Sequence, residues 1–556
     1  MGNTVARPLP LSFGAARRAG DRTTRLRWPA VALLLGAGTA ALAVYLFRII
    51  STVSVNSADL AGVLLSAEDM VRGNWLLHGW ILGSDSLWLT DGLVYAAAFA
   101  VRGLDPALLH VVPALMSTAL VAASVAAATA ARKGPVVAFA AVLAVLPVVF
   151  PSPTMVEVLT GPFHTGAIVV ALLAAVALHH AQERFDRAPL RWALMGIAFT
   201  LLTAGTLSDP YTVVLALAPI GLVSLVRALG VRGEERWRRA LPLAVVIAAW
   251  YAAPAAVWWV RDLGGATIIP FLPVTVPYTK LGESVSNLTL ALLQLAGGDL
   301  FGRVIDRSLL PIVLRLVYLA VAIAAAGLVL RDEGRGLAKN RPGGEWLTAV
   351  VALAAALALA GNVLGTADYN ARYRLPVLVM SGVVLARQFG GLGSAWIARR
   401  TILATVAALI AVSFYTGPWG RYINPMVRRT ADPYVVLGRS LEAHGLEYGF
   451  GGYDEASNVT VDTRGAVQVR PVVSTKVHQP GFGPSGIPPA DWRLTRVMVS
   501  TKDAWYLSRP RRFFVVFDTG SQWDRDTGVD LDLAAKTYGP PRYAYRVDRF
   551  MVLVWE

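Results

Sequence analysis

Nine polar side chains stand at the edges of long apolar runs, and their types suggest what they can do. Asp59 is a carboxylate able to take a proton from a hydroxyl as a general base. It also precedes an apolar-periodic stretch, Ala61 to Met70, where a helix N-cap is the plain alternative. Glu157 and His164 are residue types that hold a divalent ion or position a phosphate, and His164 equally suits a helix end where neighbours satisfy its ring. Asp209, directly before Pro210, is a natural turn-former. Arg372 and Arg374 carry planar forks of donors that match phosphate oxygens, or they snorkel at an interface, and Tyr373 between them adds a hydroxyl or an aromatic anchor. Asp85 and Asp91 flank the Trp88 segment, where solvated loop charge is the ordinary account.

The elements that must position these residues are set by composition. Of 556 residues, 55% are apolar and only 16% charged, with a mean hydropathy of +0.53. Soluble chains carry roughly 25% charge, so a soluble enzyme is excluded and a polytopic helical membrane protein is expected. The net charge of +15 would suit nucleic acid, but the basic residues form short clusters between apolar runs, the pattern of a positive-inside bias. No nucleic-acid partner is expected. With no cysteine there is no disulfide, thiol nucleophile or Cys-ligated metal, so any metal would rest on Asp, Glu and the seven histidines.

A spanning helix needs about 20 apolar residues. Eleven stretches qualify, at about 28–50, 109–131, 135–150, 165–180, 191–207, 211–227, 239–260, 309–330, 346–365, 375–388 and 401–416. Alternating from a basic N-terminus (1–27), and leaving aside the C-terminal tail, one side collects 23 lysines and arginines and the other eight, which places the N-terminus in the cytoplasm of a plasma-membrane protein. The first run is longer than a signal peptide's apolar core and is expected to remain as an anchor. The membrane part then covers 28–416, with a long first outer loop at 51–108 whose amphipathic helices lie at the interface, anchored by Trp75, Trp80 and Trp88. Residues 417–556 read as an extracytoplasmic α/β domain, with a helix at Tyr434 to His444 and β-type runs at Val459–Val461, Val467–Val473, Phe513–Phe517 and Met551–Trp555. On this topology all nine polar residues fall on the outer face.

The arrangement resembles the GT-C superfamily of polytopic glycosyltransferases that use lipid-linked sugar donors, nearest to the dolichyl-phosphate-mannose mannosyltransferase and aminoarabinose transferase branch. The likeness runs through the membrane part. Asp59-Leu60 stands where that branch has Asp-Glu, Gly73-Asn74-Trp75-Leu76 where it has Gly-Asp-Trp-Leu, and Leu207-Ser208-Asp209-Pro210 where it often has Thr-Lys-Gly-Pro. Arg372-Tyr373-Arg374-Leu375-Pro376 matches its entry to a late span. Its Glu-Lys-Pro-Pro is replaced by Thr90-Asp91-Gly92-Leu93, without the lysine associated with donor phosphate.

The resemblance implies an inverting transferase that moves a sugar from a polyprenyl-phosphate donor to a glycan, lipid or protein acceptor of the cell envelope. In that reading Asp59 is the base, and Arg372, Tyr373 and Arg374 hold the phosphate. Asp85, Asp91 and Asp209 contact substrate, and Glu157 and His164 could hold Mg or Mn. Two alternatives from other classes are a flippase for a lipid-linked sugar, which predicts inverted repeats and mid-membrane charges, and a non-catalytic anchor for the outer domain.

Overall fold

The computed structural model describes residues 33–52, 57–132, 136–161, 164–270, 275–301, 309–338, 344–365, 371–391, 432–475, 493–497, 499–521 and 529–556. The chain opens with helix α1 (Leu33–Ile50). The first loop follows as α2 (Ala58–Val71), strand β1 (Trp80–Leu82) and α3 (Asp91–Arg102). Then come α4 (Leu108–Thr129), α5 (Val136–Val149) and α6 (Pro153–Thr160). The last two meet at 86°. Pro151 and Pro153 disfavour helix in the residues before them, and Ser152 restarts it as an N-cap by accepting the Met155 N–H at 3.0 Å.

Helices α7 (Thr165–Glu183) and α8 (Ala188–Ser208) form a hairpin, and a π-turn at Val213–Leu217 leads into α9 (Ala218–Leu229) and the long α10 (Glu234–Asp262). Strand β2 (Thr267–Ile268), α11 (Leu281–Ala296), α12 (Leu309–Ala338) and α13 (Trp346–Leu364) come next, then a 3₁₀ turn at Ala371–Arg374 that runs into α14 (Leu375–Gly391). Among the described residues seven helices are long and apolar enough to cross a membrane, or eight if α5 and α6 form one broken span. The protein is therefore a polytopic helical membrane protein. Of the eleven expected stretches, 211–227 and 375–388 form helices of 17 residues, and 401–416 lies outside the described residues. Helices α4, α7 and α13 bury most of their length inside the bundle, whereas α8, α10 and α12 face outward over most of theirs.

The C-terminal region is α/β. Helices α15 (Pro433–Ala443), α16 (Tyr453–Asp462) and α17 (Leu531–Tyr538) pack on a six-stranded sheet. Its strands are β3 (Tyr448–Gly451), β4 (Gln468–Ser474), β5 (Leu494–Arg496), β7 (Phe513–Asp518), β8 (Tyr543–Val547) and β9 (Phe550–Trp555), in the order β5-β4-β3-β7-β9-β8. β3 runs parallel to both of its neighbours, and β9 antiparallel to both of its own. Strand alternation divides β7 cleanly: Phe514 and Val516 pack with Leu437, Leu441 and Val459 of α15 and α16, while Phe513, Val515 and Phe517 pack with Ala534 of α17. Val459–Val461, expected as a strand, lies within α16. There Val459 meets the sheet and Val461 meets the first loop, so packing on two sides overrides the β-branched preference.

This region is stitched to the first loop. Strand β6 (Thr501–Lys502) pairs antiparallel with β1, which also pairs with β2. Trp80 packs edge-on against Trp505 at 5.1 Å, its Nε1 donates to Asp69 at 2.8 Å, and Lys502 Nζ reaches both Asp69 oxygens at 2.9 Å. Burying one such indole is worth about 2–3 kcal/mol, against about 0–1 for a partly exposed ion pair, so apolar contact dominates the seam. The expectation of interfacial helices with three tryptophan anchors is corrected accordingly. Ten of the 14 residues of α2 are buried, Trp80 and Trp88 are buried with it, and only Trp75, 54% exposed, points outward.

Candidate functional site

Helix α2 begins after Ser57, so Asp59 sits inside its first turn and is not the N-cap. Its two carboxylate oxygens face different parts of the chain. Oδ1 accepts the Tyr453 hydroxyl of α16 at 2.9 Å, and Oδ2 lies 3.9 Å from the Arg372 guanidinium. The side chain keeps 44% of its surface open. Crowding by protein, reinforced by the charge of Asp85, raises its carboxyl above the usual carboxylate range, while Arg372 and the Tyr453 hydroxyl pull it partway back. Burial and Asp59 push the Tyr453 phenol far up, so it stays protonated as a donor. Asp85 is exposed beside this pair and acts on it through charge alone.

Arg372 and Tyr373 are placed by the 3₁₀ turn before α14. The Tyr373 carbonyl accepts from Asn362 Nδ2 of α13 at 2.9 Å and from the Tyr211 hydroxyl at 3.2 Å, and its own hydroxyl accepts from Arg372 at 3.1 Å. Burial works against the charge of Arg372, but Tyr373, Asp59 and Asp85 outweigh it and hold the guanidinium cationic. Arg374 differs: it is fully buried, next to Tyr211, and leaves no surface open to a ligand.

A second, buried group lies behind the first. His164 Nδ1 and Asp209 Oδ2 are 2.6 Å apart, and the His164 ring packs against Tyr211 and Tyr373 with centroids at 5.0 and 4.9 Å. His164 caps α7 in the left-handed conformation (φ +61°), uncommon for a non-glycine residue and a form of strain that clusters at functional sites. Burial lowers its basicity, but the charge and hydrogen bond of Asp209 more than compensate, so the imidazole titrates above its ordinary value. Asp209 is also the turn-former expected, since its Oδ1 accepts the Tyr211 N–H at 2.9 Å.

Asp91 completes this group. Its loop is sewn to the end of α8, with Leu87 N–H on the Ser208 carbonyl at 2.9 Å and Leu89 N–H on Ser208 Oγ at 2.8 Å. Burial pushes the Asp91 carboxyl up to about 6, with Asp209 adding to the rise. The site fits against Gly166, where a Cβ would come within 2.5 Å of Asp91 Oδ2.

Asp59, Asp85, Asp91, His164, Asp209, Arg372 and Tyr373, spread over five segments, thus gather at one end of the bundle. Glu157 does not join them: it is exposed on α6, and His164 is committed to Asp209. Among the described residues no three His, Asp or Glu side chains gather as a metal-ligand set. Tyr453, Tyr211 and Asn362 are the contributors that residue spacing does not reveal. Gly452-Tyr453-Asp454-Glu455 reads locally as an ordinary helix start, and its partner lies 394 residues away. The chain matches no known protein family and no curated protein sequence.

Proposed function

We propose that the protein is an integral-membrane inverting glycosyltransferase that moves a sugar from a polyprenyl-phosphate donor to an acceptor at the membrane face carrying Asp59. In this reading that face is extracytoplasmic on the plasma membrane, the fold is of the GT-C class, and the acceptor is a cell-envelope glycan, lipid or exported protein. The acceptor hydroxyl gives its proton to Asp59, and its oxygen attacks the anomeric carbon from the side opposite the phosphate. The carbon–oxygen bond to phosphate then breaks, and polyprenyl phosphate leaves with both bonding electrons. Arg372 neutralises the charge that develops on the leaving oxygen. In this reading Asp85, exposed beside the pair, hydrogen-bonds sugar hydroxyls. The buried His164–Asp209–Asp91 group holds the aromatic wall formed by Tyr211 and Tyr373. Arg374 supports that wall from inside. Mg or Mn, expected at Glu157 and His164, is given no step, and phosphate neutralisation falls to Arg372.

The observation that carries this reading is a half-open carboxylate, raised above its usual range, with an arginine 3.9 Å away on one side and a hydroxyl on the other. A general base works best when its pKa approaches the working pH. A flippase would need its charges at mid-membrane, whereas this cluster lies at a bundle end. A bare anchor would not lend the Tyr453 hydroxyl to Asp59.

The test is release of polyprenyl phosphate from a radiolabelled polyprenyl-phosphate pentose or hexose in proteoliposomes. Asp59→Asn keeps size and hydrogen bonding but cannot take the proton, so release should fall by about 10²–10⁴ with the melting temperature unchanged. Wild-type release by this variant would end the assignment.

A further inference from the structure

We infer that Ser500 is a positioning residue for Asp59: its hydroxyl fixes the Tyr453 proton on Asp59 Oδ1 and leaves Oδ2, on the Arg372 side, to take the acceptor's proton. The inference rests on Asp59 being the base of the proposed reaction. Ser500 stands just before β6, whose Lys502 and Thr501 pair with Trp80 and Ile81 of β1. It adopts φ +53°, in the left-handed region that is uncommon for a non-glycine residue and that clusters at functional sites. Glycine takes such a conformation without strain. What serine adds at this place is a hydroxyl.

That hydroxyl is brought to Tyr453 by close packing on α2. Gly62 lies one turn beyond Asp59 on the same helix face, and a Cβ there would meet Ser500 Cβ at 3.1 Å and Oγ at 3.6 Å. The bare glycine lets Ser500 settle against the helix beside Asp59. Ser500 and Tyr453 are joined by a side-chain hydrogen bond. The single Tyr453 hydroxyl proton goes to Asp59 Oδ1 at 2.9 Å, so the phenol oxygen can only accept from Ser500. The result is a directed chain: Ser500 donates to Tyr453, and Tyr453 donates to Asp59. Bonds in such a chain polarise one another, so Ser500 strengthens the bond to the ionised carboxylate. The charges that face Asp59 from other segments are Asp85 of the first loop, Arg372 of the 3₁₀ turn and Asp454 of α16.

The test is the pH dependence of polyprenyl-phosphate release in proteoliposomes, read beside a difference-infrared titration of the Asp59 carboxyl (each protein minus its Asp59→Asn counterpart). Ser500→Gly suits the backbone conformation and loses the hydroxyl. Its melting temperature should not fall, while the acid limb and the infrared midpoint both move up, by at most about one pH unit for one lost hydrogen bond. Ser500→Ala, which keeps the backbone strain, should show the same shift. Added to Tyr453→Phe, Ser500→Gly should shift nothing further, because Ser500 acts through Tyr453. An unmoved infrared midpoint in both Ser500 variants overturns the inference, and so does an equal further shift in the Tyr453→Phe background. If the wild type releases no polyprenyl phosphate, the transfer reading fails, and the infrared midpoints still decide whether Ser500 acts on Asp59.

Discussion

At one end of α7 the Arg387 side chain is wholly buried, and its guanidinium is shared among Glu345, the Ala127 and Ala130 carbonyls and Thr348 Oγ1. Glu345 in turn receives Thr348 at 2.9 Å and lies near Arg132 and His179. At the other end, roughly 28 Å away by helix rise, His164 and Asp209 sit behind a half-open Asp59, and Asp91 Oδ2 has no hydrogen-bond partner among the described residues. A cavity of about 270 Å³ does open at the Arg387 end, but its arginines are engaged: Arg227 with Glu333, Arg238 with the Gln182 carbonyl, Arg239 with Glu235. Both ends bury charge. One knots Arg387 and Glu345 into a buried network and acts as a staple; the other keeps a half-open carboxylate beside an arginine, with a buried histidine–aspartate pair behind them.

The contrast can be broken first at the staple. Removing one partner of a buried ion pair costs about 3–5 kcal/mol because the other charge stays behind. Glu345→Ala should therefore lower the melting temperature in detergent severely, whereas Asp59→Ala should cost at most about 1 kcal/mol. Equal losses would erase the distinction between the ends.

Asp91 sharpens the comparison through pH. Its carboxyl is raised from 3.8 to about 6 and is almost fully buried, so between those values the native state keeps a proton that the unfolded chain has lost. Stability should thus fall as pH rises from 4 to 6, by roughly 3 kcal/mol at most. Asp91→Asn should flatten that slope and melt higher at pH 7. A wild type with no slope in this window would show that Asp91 is charged and paired.

Close approach at the same place gives a smaller effect. Gly166→Ala would push a methyl into Asp91 Oδ2 and the Thr90 Cβ, at 2.5 and 2.9 Å, and should destabilise by about 1–3 kcal/mol. No change on thermal unfolding would mean that the loop yields freely.

Legibility from sequence followed the range of the forces involved. Apolar runs and loop charge are local signals, and they revealed the helices and the polar residues at their ends. β7 and β9 were readable because strand alternation is local as well. Trp80 and Trp88 were misplaced because the partners that cover them are distant in sequence: β6 and Trp505 pack on Trp80, and the Trp88 loop is held to the end of α8. Tyr453 was invisible for the same reason. The separation of Arg372 from Arg374 depends on which way a 3₁₀ turn rotates two adjacent side chains, which composition does not encode.

The central claim is that Asp59 accepts the proton, and the pH dependence of polyprenyl-phosphate release tests it most directly. The acid limb of the wild-type profile should lie above the ordinary carboxylate range, since crowding by protein, reinforced by the charge of Asp85, raises the Asp59 carboxyl. The Tyr453 hydroxyl favours the charged form, so Tyr453→Phe should move the limb to still higher pH, and Asp59→Asn should remove it along with most of the rate. A limb that stays in place in Tyr453→Phe and persists in Asp59→Asn would contradict the account.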